Sequence, residues 1–162
     1  MSAVAAERPS SYDVRPIRAD DVERLRRMFS RCSRETIYRR FFSYYPAPPE
    51  WVLQRLTSVD YVNRHAVVAV VDDEIIGVAR FDKVGTGDEA EMAICVEDLW
   101  QRRGVARHLF TWIMDLARSR GVATITADVQ ADNGAAMSLL RQLLPDAEIH
   151  LDGTTFVIRA AL

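Results

Sequence analysis

The sequence contains few of the residues that build disulfide frameworks or metal sites. Its 162 residues include only two cysteines, Cys32 and Cys95, and three scattered histidines. The cysteines show neither CxxC nor any other metal-ligand spacing, and two thiols do not make a disulfide framework. The histidines follow no zinc-ligand pattern. We therefore expect a protein without a metal site.

Long apolar runs and an excess of charge are also absent. No apolar run approaches the roughly 20 residues that a membrane-spanning helix needs. Residues 1–10 lack the basic region and apolar core of a signal peptide. The net charge of −2 differs from the basic excess of a nucleic-acid platform. These features predict a cytoplasmic protein that binds neither membrane nor nucleic acid, with a flexible lead-in at 1–10.

The composition that remains is typical of a globular domain. Hydrophobic residues make up 49% of the sequence and charged residues 27%, and the length favours a single domain over 1–162. Alternation and helical periodicity predict elements in the order βααα-ββ-β-α-β-α-ββ. The predicted strands are 12–18, 65–71, 75–82, 89–96, 122–129, 146–151 and 154–160, and the predicted helices are 19–30, 33–42, 50–57, 104–120 and 133–143.

The order of these elements predicts the fold. The strand–helix–strand segment 89–129 implies a parallel crossover, whereas the hairpins on either side are antiparallel. The expected fold is α/β (α+β), with a mixed, mostly antiparallel central sheet of about seven strands and helices on both faces. At the helix starts, Asp20 with Glu23 matches a capping box, and Ser33 is placed to cap the second helix.

The stretch Q101-R-R-G-V-A106 joins a predicted strand to a predicted amphipathic helix. Free N–H groups and the helix dipole hold an anion at such a junction. Gly104 and Ala106 leave the backbone open to a phosphate group. The positive charges around it are Arg102, Arg103 and Arg107. The stretch predicts a phosphate-binding loop, and an ordinary helix start is the simpler alternative.

This strand–loop–helix resembles the acetyl-CoA-binding segment of the GNAT superfamily of N-acetyltransferases, which hold the CoA pyrophosphate on a Q/R-x-x-G-x-G/A loop. The likeness covers nearly the whole domain. It includes the strand I94-C-V96, the strand ending V129-Q130, and Asn133 ahead of A136-M-S-L-L140. The resemblance implies the GNAT fold, acetyl-CoA as cosubstrate and N-acetyltransferase activity.

By the same resemblance, the cofactor contacts fall on three parts of the chain. Ile94 and Val96 offer main-chain hydrogen bonds to the pantetheine arm, and Asn133 contacts the pantetheine or pyrophosphate region. The pyrophosphate is expected on the loop residues Gln101, Arg102, Arg103, Gly104, Val105, Ala106 and Arg107.

A narrower resemblance concerns the acceptor. S33-R-E-T-I-Y-R-R-F-F-S43 and A90-E-M-A93 are similar to the GNAT domain of bacterial protein lysine acetyltransferases, which modify a lysine of acyl-CoA synthetases. It implies a protein partner with an acceptor lysine. The early helices border the acceptor groove in that fold, so three aromatic side chains are predicted to frame the substrate, with core packing as their alternative role. They are Tyr38, Tyr44 and Tyr45.

A lysine amine attacks a thioester only in its neutral form. With a pKa of about 10.4, only about one amine in 2,500 is neutral at pH 7, a deficit of ~4.6 kcal/mol in the barrier. A positioned base removes much of that deficit. Glu91 is the candidate, because the similar family places its catalytic glutamate in the corresponding A-E-x-A. An exposed carboxylate without a catalytic role is the alternative.

Several alternatives stay open at this point. Many relatives carry a tyrosine seven residues after the asparagine as general acid, but Leu140 occupies that position here, which leaves Ser138 or water to assist. Cys95 would allow an acetyl-cysteine intermediate, although a strand cysteine is more often a small buried hydrophobe. A small amine is the alternative acceptor, and an acyl-CoA sensor without activity is the alternative function. Monomers and homodimers both occur on this fold.

Overall fold

The computed structural model describes residues 11–162, so the lead-in predicted at 1–10 lies outside the described residues. The strands are β1 (Asp13–Pro16), β2 (Arg64–Val71), β3 (Glu74–Lys83), β4 (Glu89–Val96), β5 (Thr124–Gln130), β6 (Glu148–Asp152) and β7 (Thr155–Ala161). The helices are α1 (Val22–Arg31), α2 (Arg34–Phe41), α3 (Glu50–Thr57), α4 (Val105–Ser119) and α5 (Gly134–Leu143). Single 3-10 turns lie at Ala19–Asp21 and Asp98–Trp100.

The strands form one sheet in the order β1-β2-β3-β4-β5-β7-β6. Every neighbouring pair is antiparallel except β4 and β5, which run parallel and are connected through α4. The predicted mixed sheet of seven strands and its parallel crossover are therefore confirmed.

The parallel pairing of β4 with β5 is short. It runs from Glu89 opposite Thr124 to Glu91 opposite Thr126, and no pair between these strands follows in the described residues. β4 nevertheless continues to Val96, hydrogen-bonded on its other side to β3. The two strands therefore separate in the middle of the sheet and leave a gap there.

Two hydrophobic clusters place helices on both faces of the sheet. One packs α4 and α5 against one face, with Leu109 fully buried in it. The other packs α1 and α3 against the opposite face, and Phe29 is buried in it. Alternate side chains of β4 enter the two clusters, Met92 and Val96 the first and Cys95 the second. The predicted helices on both faces are thus present.

The helix starts agree with the sequence at α2 and differ from it at α1. Ser33 caps α2, and its hydroxyl accepts a hydrogen bond from the N–H of Thr36 at 3.1 Å. At α1 the capping-box prediction with Asp20 as cap is wrong, because Asp21 is the N-cap after a 3-10 turn. Asp21 is fully buried and accepts two hydrogen bonds of 2.8 Å from Arg15. That ion pair selects between the two aspartates, and sequence spacing does not reveal it.

Two further observations concern membranes and metals. None of the described helices is long and apolar enough to cross a membrane. Within residues 11–162, no group of three or more His, Cys, Asp or Glu side chains is arranged to hold a metal ion. Cys32 and Cys95 are both free thiols, the first half-buried and the second buried.

His65 on β2 is a buried histidine, 2% exposed. Its ring stacks on Phe81 with 5.0 Å between centroids, and its Nε2 has no hydrogen-bond partner among the described residues. Burial lowers the pKa of His65 below its usual value, and repulsion from Arg120 lowers this pKa further. The folded protein therefore favours the neutral ring.

We expect the free energy of unfolding to fall as the pH drops below about 6.5, because the unfolded chain then binds a proton at His65 that the folded chain resists. Urea denaturation at roughly pH 7.5 and roughly pH 5.5 measures the loss. His65→Gln should reduce it, whereas His150→Gln at an exposed position on β6 should not. An unchanged pH dependence in His65→Gln would contradict this assignment.

Candidate active site

A cleft opens where β4 and β5 separate. It has a volume of about 800 Å³ and is lined by β4, β5, α2, α4, α5 and the loop before α4. One end of it lies where the parallel pairing stops, at Glu91 and Thr126. The cleft is therefore a direct product of the short β4–β5 pairing.

The main chain of β4 faces this cleft at every second residue. The N–H of Glu97 donates a hydrogen bond of 2.9 Å to the oxygen of Ile76 on β3. Because the main-chain groups of successive strand residues point to opposite sides, those of Val96 and Ile94 point into the cleft. The side-chain amide of Gln101 agrees with this direction, since it donates to the Val96 oxygen at 3.0 Å.

The loop before α4 presents free donors to the same cleft. Within the described residues, the N–H groups of residues 102–107 have no hydrogen-bond acceptor, and no side chain caps α4. Gly104 is the N-cap with φ of 81°, and a Cβ added to it would meet nothing within 4 Å. A row of N–H groups at the positive end of a helix fits a diphosphate.

The side chains of this loop differ in where they point. Arg102 and Arg107 line the cleft, and Arg102 has a left-handed φ of 59°, a strained conformation for a residue with a side chain. Arg103 instead stacks its guanidinium on Trp100, 4.2 Å from the ring centroid. Val105 is 1% exposed, so only its main chain is available to a ligand.

Asn133 completes this side of the cleft at the start of α5. Its Oδ1 accepts a hydrogen bond from the N–H of Ala136 at 3.2 Å, which leaves its Nδ2 for a ligand. The predicted cofactor residues that line the cleft are Ile94, Val96, Gln101, Arg102, Gly104, Ala106, Arg107 and Asn133. The two that do not are Arg103 and Val105.

Glu91 lies at the end of the parallel pairing and lines the cleft. It is exposed, and among the described residues it forms neither an ion pair nor a hydrogen bond. Glu89, two residues earlier on the same face of β4, is bound by Arg159 at 2.6 Å. The carboxylate of Glu91 is therefore available to a bound molecule, whereas that of Glu89 is already occupied.

The sequence matches a known protein family across all of these elements. Residues 23–144 match the family model described as acetyltransferase (GNAT) family. The chain belongs to the GNAT acetyltransferase family. It is therefore an N-acetyltransferase, and acetyl-CoA is its cosubstrate.

Individual relatives extend the likeness over most of the acetyltransferase. It is 29% identical to an acetyltransferase of Pseudomonas aeruginosa, over 92% of this chain and 83% of that protein. It is 34% identical to the acetyltransferase Pat of Mycolicibacterium smegmatis over 82% of this chain, which spans only 40% of Pat's length. The solved GNAT domain of S. lividans PAT superposes with a TM-score of 0.87 at 32% identity, covering 93% of this chain and 90% of that one.

Asp128 is a second acidic side chain of the acetyltransferase's cleft, and no local pattern in the sequence predicts its position there. Glu91 lies opposite Thr126 in the parallel register, and side chains two residues apart on a strand share a face. Asp128 therefore lies on the same face of the sheet as Glu91, and it is exposed and lines the cleft. The parallel crossover is readable from the sequence, but the register that aligns these two strands is not.

The three tyrosines predicted to frame the acceptor do not line the cleft. Tyr38 stacks on Tyr44 with 4.1 Å between ring centroids, and Tyr45 packs edge-on against Phe41. The α2 side of the cleft is formed instead by Thr36, Arg39, Arg40, Phe41 and Phe42. Contact between the tyrosines and an acceptor stays a prediction.

The position of the tyrosine found in many relatives is apolar in this acetyltransferase. Leu140 lines the cleft and is 8% exposed. Ser138, the one hydroxyl on α5, lines a separate cavity of about 480 Å³ with Phe156 and does not line the cleft between β4 and β5. No side chain of α5 in this cleft therefore offers a proton to a leaving thiolate.

Cys95 lines the cleft but is 5% exposed and packed in the hydrophobic cluster under α1. Interaction with the Cys32 thiol lowers the pKa of Cys95, while the same interaction and burial raise the pKa of Cys32. Cys95 would be the nucleophile of an acetyl-cysteine route, whereas direct transfer of acetyl to the acceptor amine uses no cysteine.

We expect Cys95→Ala to retain kcat within about tenfold of the wild type, because direct transfer leaves the cysteine without a covalent role. Steady-state release of CoA measures this, and Cys32→Ala serves as the control for loss of the thiol–thiol contact alone. A much larger loss in Cys95→Ala than in Cys32→Ala, together with a trapped acetyl-enzyme, would instead establish the acetyl-cysteine route.

Proposed function

We propose that this acetyltransferase transfers acetyl directly from acetyl-CoA to a lysine side-chain amine of a protein such as an acyl-CoA synthetase, with Glu91 as general base. The observation that carries the proposal is the unpaired Glu91 carboxylate at the end of the β4–β5 pairing, beside the cofactor cleft. The likeness to the GNAT domain of S. lividans PAT and to the mycobacterial Pat supports a protein acceptor.

The cofactor is held mainly by main-chain groups in this proposal. The N–H groups of residues 102–107 bind the pyrophosphate, with Arg102 and Arg107 adding charge. Ile94 and Val96 bind the pantetheine arm through the main-chain groups that face the cleft, and Asn133 adds its side-chain amide. This arrangement brings the thioester toward Glu91.

The transfer then needs a base for the ammonium, an oxyanion site and a destination for the second proton that the nitrogen loses. Glu91 takes a proton from the acceptor ammonium, and the neutral nitrogen attacks the thioester carbonyl. A main-chain N–H of β4 near Val96 stabilises the oxyanion. The C–N bond forms, the C–S bond breaks, and CoA leaves as a thiolate, which a thiol pKa of about 8.5 permits without a tyrosine at Leu140. The second nitrogen proton passes to the thiolate or to water.

The charge of the cleft also supports an amine acceptor. Glu91 and Asp128 lie on one face of the sheet beside the gap, and both are exposed. Two carboxylates attract a cationic amine, whether it belongs to a protein or to a small molecule. A polyamine, amino acid or aminated antibiotic is therefore the second candidate for the acceptor. The apolar Leu140 is the one feature that favours an acyl-CoA sensor without activity.

Release of CoA with different acceptors separates these functions. Acetyl-CoA is supplied alone, then with an acyl-CoA synthetase, then with a panel of small amines, and free thiol is measured. We expect release with the synthetase to exceed release with any small amine, and acetyl-lysine to appear on the synthetase. Turnover restricted to a small amine supports the second candidate. Binding of acetyl-CoA without turnover on any acceptor supports the sensor.

We propose a single GNAT domain over 1–162 acting in the cytoplasm, with the three tyrosines Tyr38, Tyr44 and Tyr45 contacting the acceptor outside the cleft. Light scattering on the purified protein distinguishes the monomer from the homodimer. Replacing the tyrosines by leucine should raise KM for the acceptor without changing the affinity for acetyl-CoA.

A further inference from the structure

Arg40, in the last turn of α2, is a cation of the cleft without a partner. It lines the cleft, and among residues 11–162 it forms no ion pair and no hydrogen bond. Its guanidinium lies 4.8 Å from the centroid of the Phe41 ring, which holds the side chain in place. The side chain is half-buried, and burial lowers the pKa of Arg40. An anionic partner stabilises a charge in such a site.

The acidic groups around Arg40 do not supply that partner. Asp82 is bound by Arg80 at 3.1 Å and by Arg64 at 3.5 Å. Glu91 lines the same cleft but forms no ion pair with Arg40 among the described residues. Arg39, the preceding residue, pairs with Glu35 but has a buried Nε without a hydrogen-bond partner. This end of α2 therefore offers Arg40 donors to an incoming anion.

The phosphates of CoA belong to the other end of the cleft. The amide of Gln101 donates to the hydroxyl of Thr36 at 3.2 Å, which places the pyrophosphate loop beside the first turn of α2. Arg40 lies four residues further along the helix, a rise of about 6 Å. Arg40 lines the cleft together with Glu91 and Cys95, which lie on one face of β4.

The acyl group of a bound donor is expected on that same side. Ile94 and Val96 direct main-chain groups to the pantetheine arm, so the thioester lies further toward Glu91. Ala93 is the side chain between Glu91 and Cys95 on the face toward α2, and it is too small to fill the space beside it. An acyl chain extended from the thioester between β4 and α2 therefore points toward Arg40.

We propose that Arg40 binds the terminal carboxylate of a dicarboxylic acyl group, so that the enzyme accepts carboxyacyl-CoA donors such as succinyl-CoA beside acetyl-CoA. The inference rests on the proposed acyl transfer for its chemistry. That chemistry is unchanged: the C–N bond forms, the C–S bond breaks, Glu91 takes the first nitrogen proton, CoA leaves as a thiolate, and the second proton passes to the thiolate or to water. The distal carboxylate takes no part except to pair with Arg40.

Binding of two donors of equal length tests the proposal without an acceptor. Succinyl-CoA and butyryl-CoA differ only in the end of the acyl chain, and their affinities are measured by titration calorimetry. The wild type should bind succinyl-CoA more tightly than butyryl-CoA. Arg40→Met should lower the affinity for succinyl-CoA by at least about tenfold and the affinity for butyryl-CoA by less than about twofold. The reason is that a hydrogen-bonded charge pair is lost only with succinyl-CoA.

The controls separate this role from a structural one. Arg34→Met, on an exposed position of the same helix outside the cleft, should change neither affinity. Arg40→Lys should keep part of the preference for succinyl-CoA. An equal loss for both donors in Arg40→Met, or a wild type that prefers butyryl-CoA, overturns the proposal. Because no acceptor is present, these results do not depend on whether lysine transfer occurs, and absence of turnover would count against the proposed function alone.

Discussion

Replacing Glu91 by glutamine should lower kcat by about 10²- to 10⁴-fold and leave the affinity for acetyl-CoA unchanged. Glutamine has nearly the size of glutamate but cannot take a proton from the acceptor. The side chain of Glu91 forms no ion pair and no hydrogen bond among the described residues, so its replacement removes no hydrogen bond that stabilises the fold. This variant should therefore lose turnover while it keeps the wild-type affinity for acetyl-CoA.

The pH dependence sharpens that test. An acceptor lysine becomes neutral without help as the pH approaches about 10.4. The loss of kcat in Glu91→Gln relative to the wild type should therefore shrink as the pH rises from about 7 toward about 9.5. Acetyl transfer measured against pH, with saturating acetyl-CoA, reports this convergence.

Glu89→Gln is the matched control for Glu91→Gln. Glu89 lies on the same strand and face, but its carboxylate is bound by Arg159 at 2.6 Å. We expect its replacement to leave kcat within about tenfold of the wild type. If both variants lost activity equally, or if Glu91→Gln kept full turnover at neutral pH, Glu91 would not be the base.

Gly104→Glu should weaken acetyl-CoA binding by at least about 100-fold. A carboxylate at the N-terminus of α4 competes with the pyrophosphate for the free N–H groups of residues 102–107 and repels its charge. The φ of 81° at Gly104 adds backbone strain for any residue with a Cβ. Fluorescence or calorimetric titration with acetyl-CoA measures the loss.

Two comparisons isolate the cause of that loss. Gly121→Glu introduces the same side chain at a left-handed glycine, φ of 78°, beyond the other end of α4, and should leave the affinity unchanged. Arg102→Ala removes one exposed charge and should weaken binding by less than about tenfold. A larger effect from Arg102→Ala than from Gly104→Glu would show that side-chain charge, rather than the main chain, holds the pyrophosphate.

The elements and the phosphate loop were predictable from the sequence because their signals are local. Periodicity fixes each strand and helix, and the Gly104 loop lies directly between a strand and a helix. The order of elements also limits the topology to a mixed sheet with one crossover. The first residue of α1 was not predictable, since the Asp21 carboxylate before it is buried against Arg15 on the preceding strand and caps no N–H group of the helix.

The acceptor side of the cleft depends on contacts between distant segments. Asp128 joins Glu91 only through the β4–β5 register. Thr36 and Arg40 share the cleft-facing side of α2 because they lie four residues apart. Phe42 then adopts a left-handed φ of 56°, which ends the helix before Tyr44 and Tyr45. Helix ends and strand registers are decided by tertiary packing. The aromatic run in the sequence therefore does not show which of its side chains reach the cleft.

The early end of the β4–β5 pairing also links cofactor binding to local unfolding. A ligand that hydrogen-bonds to Ile94 and Val96 acts as an added strand at an edge inside the sheet. Saturation at about 100 times Kd would then stabilise the folded state by ~2.7 kcal/mol. Amide exchange should slow most along the second half of β4 and at residues 102–107, and least in the β6–β7 hairpin. Bound acetyl-CoA would therefore pair with the part of β4 that no described strand pairs on that side, and release of CoA after each turnover would expose this edge again.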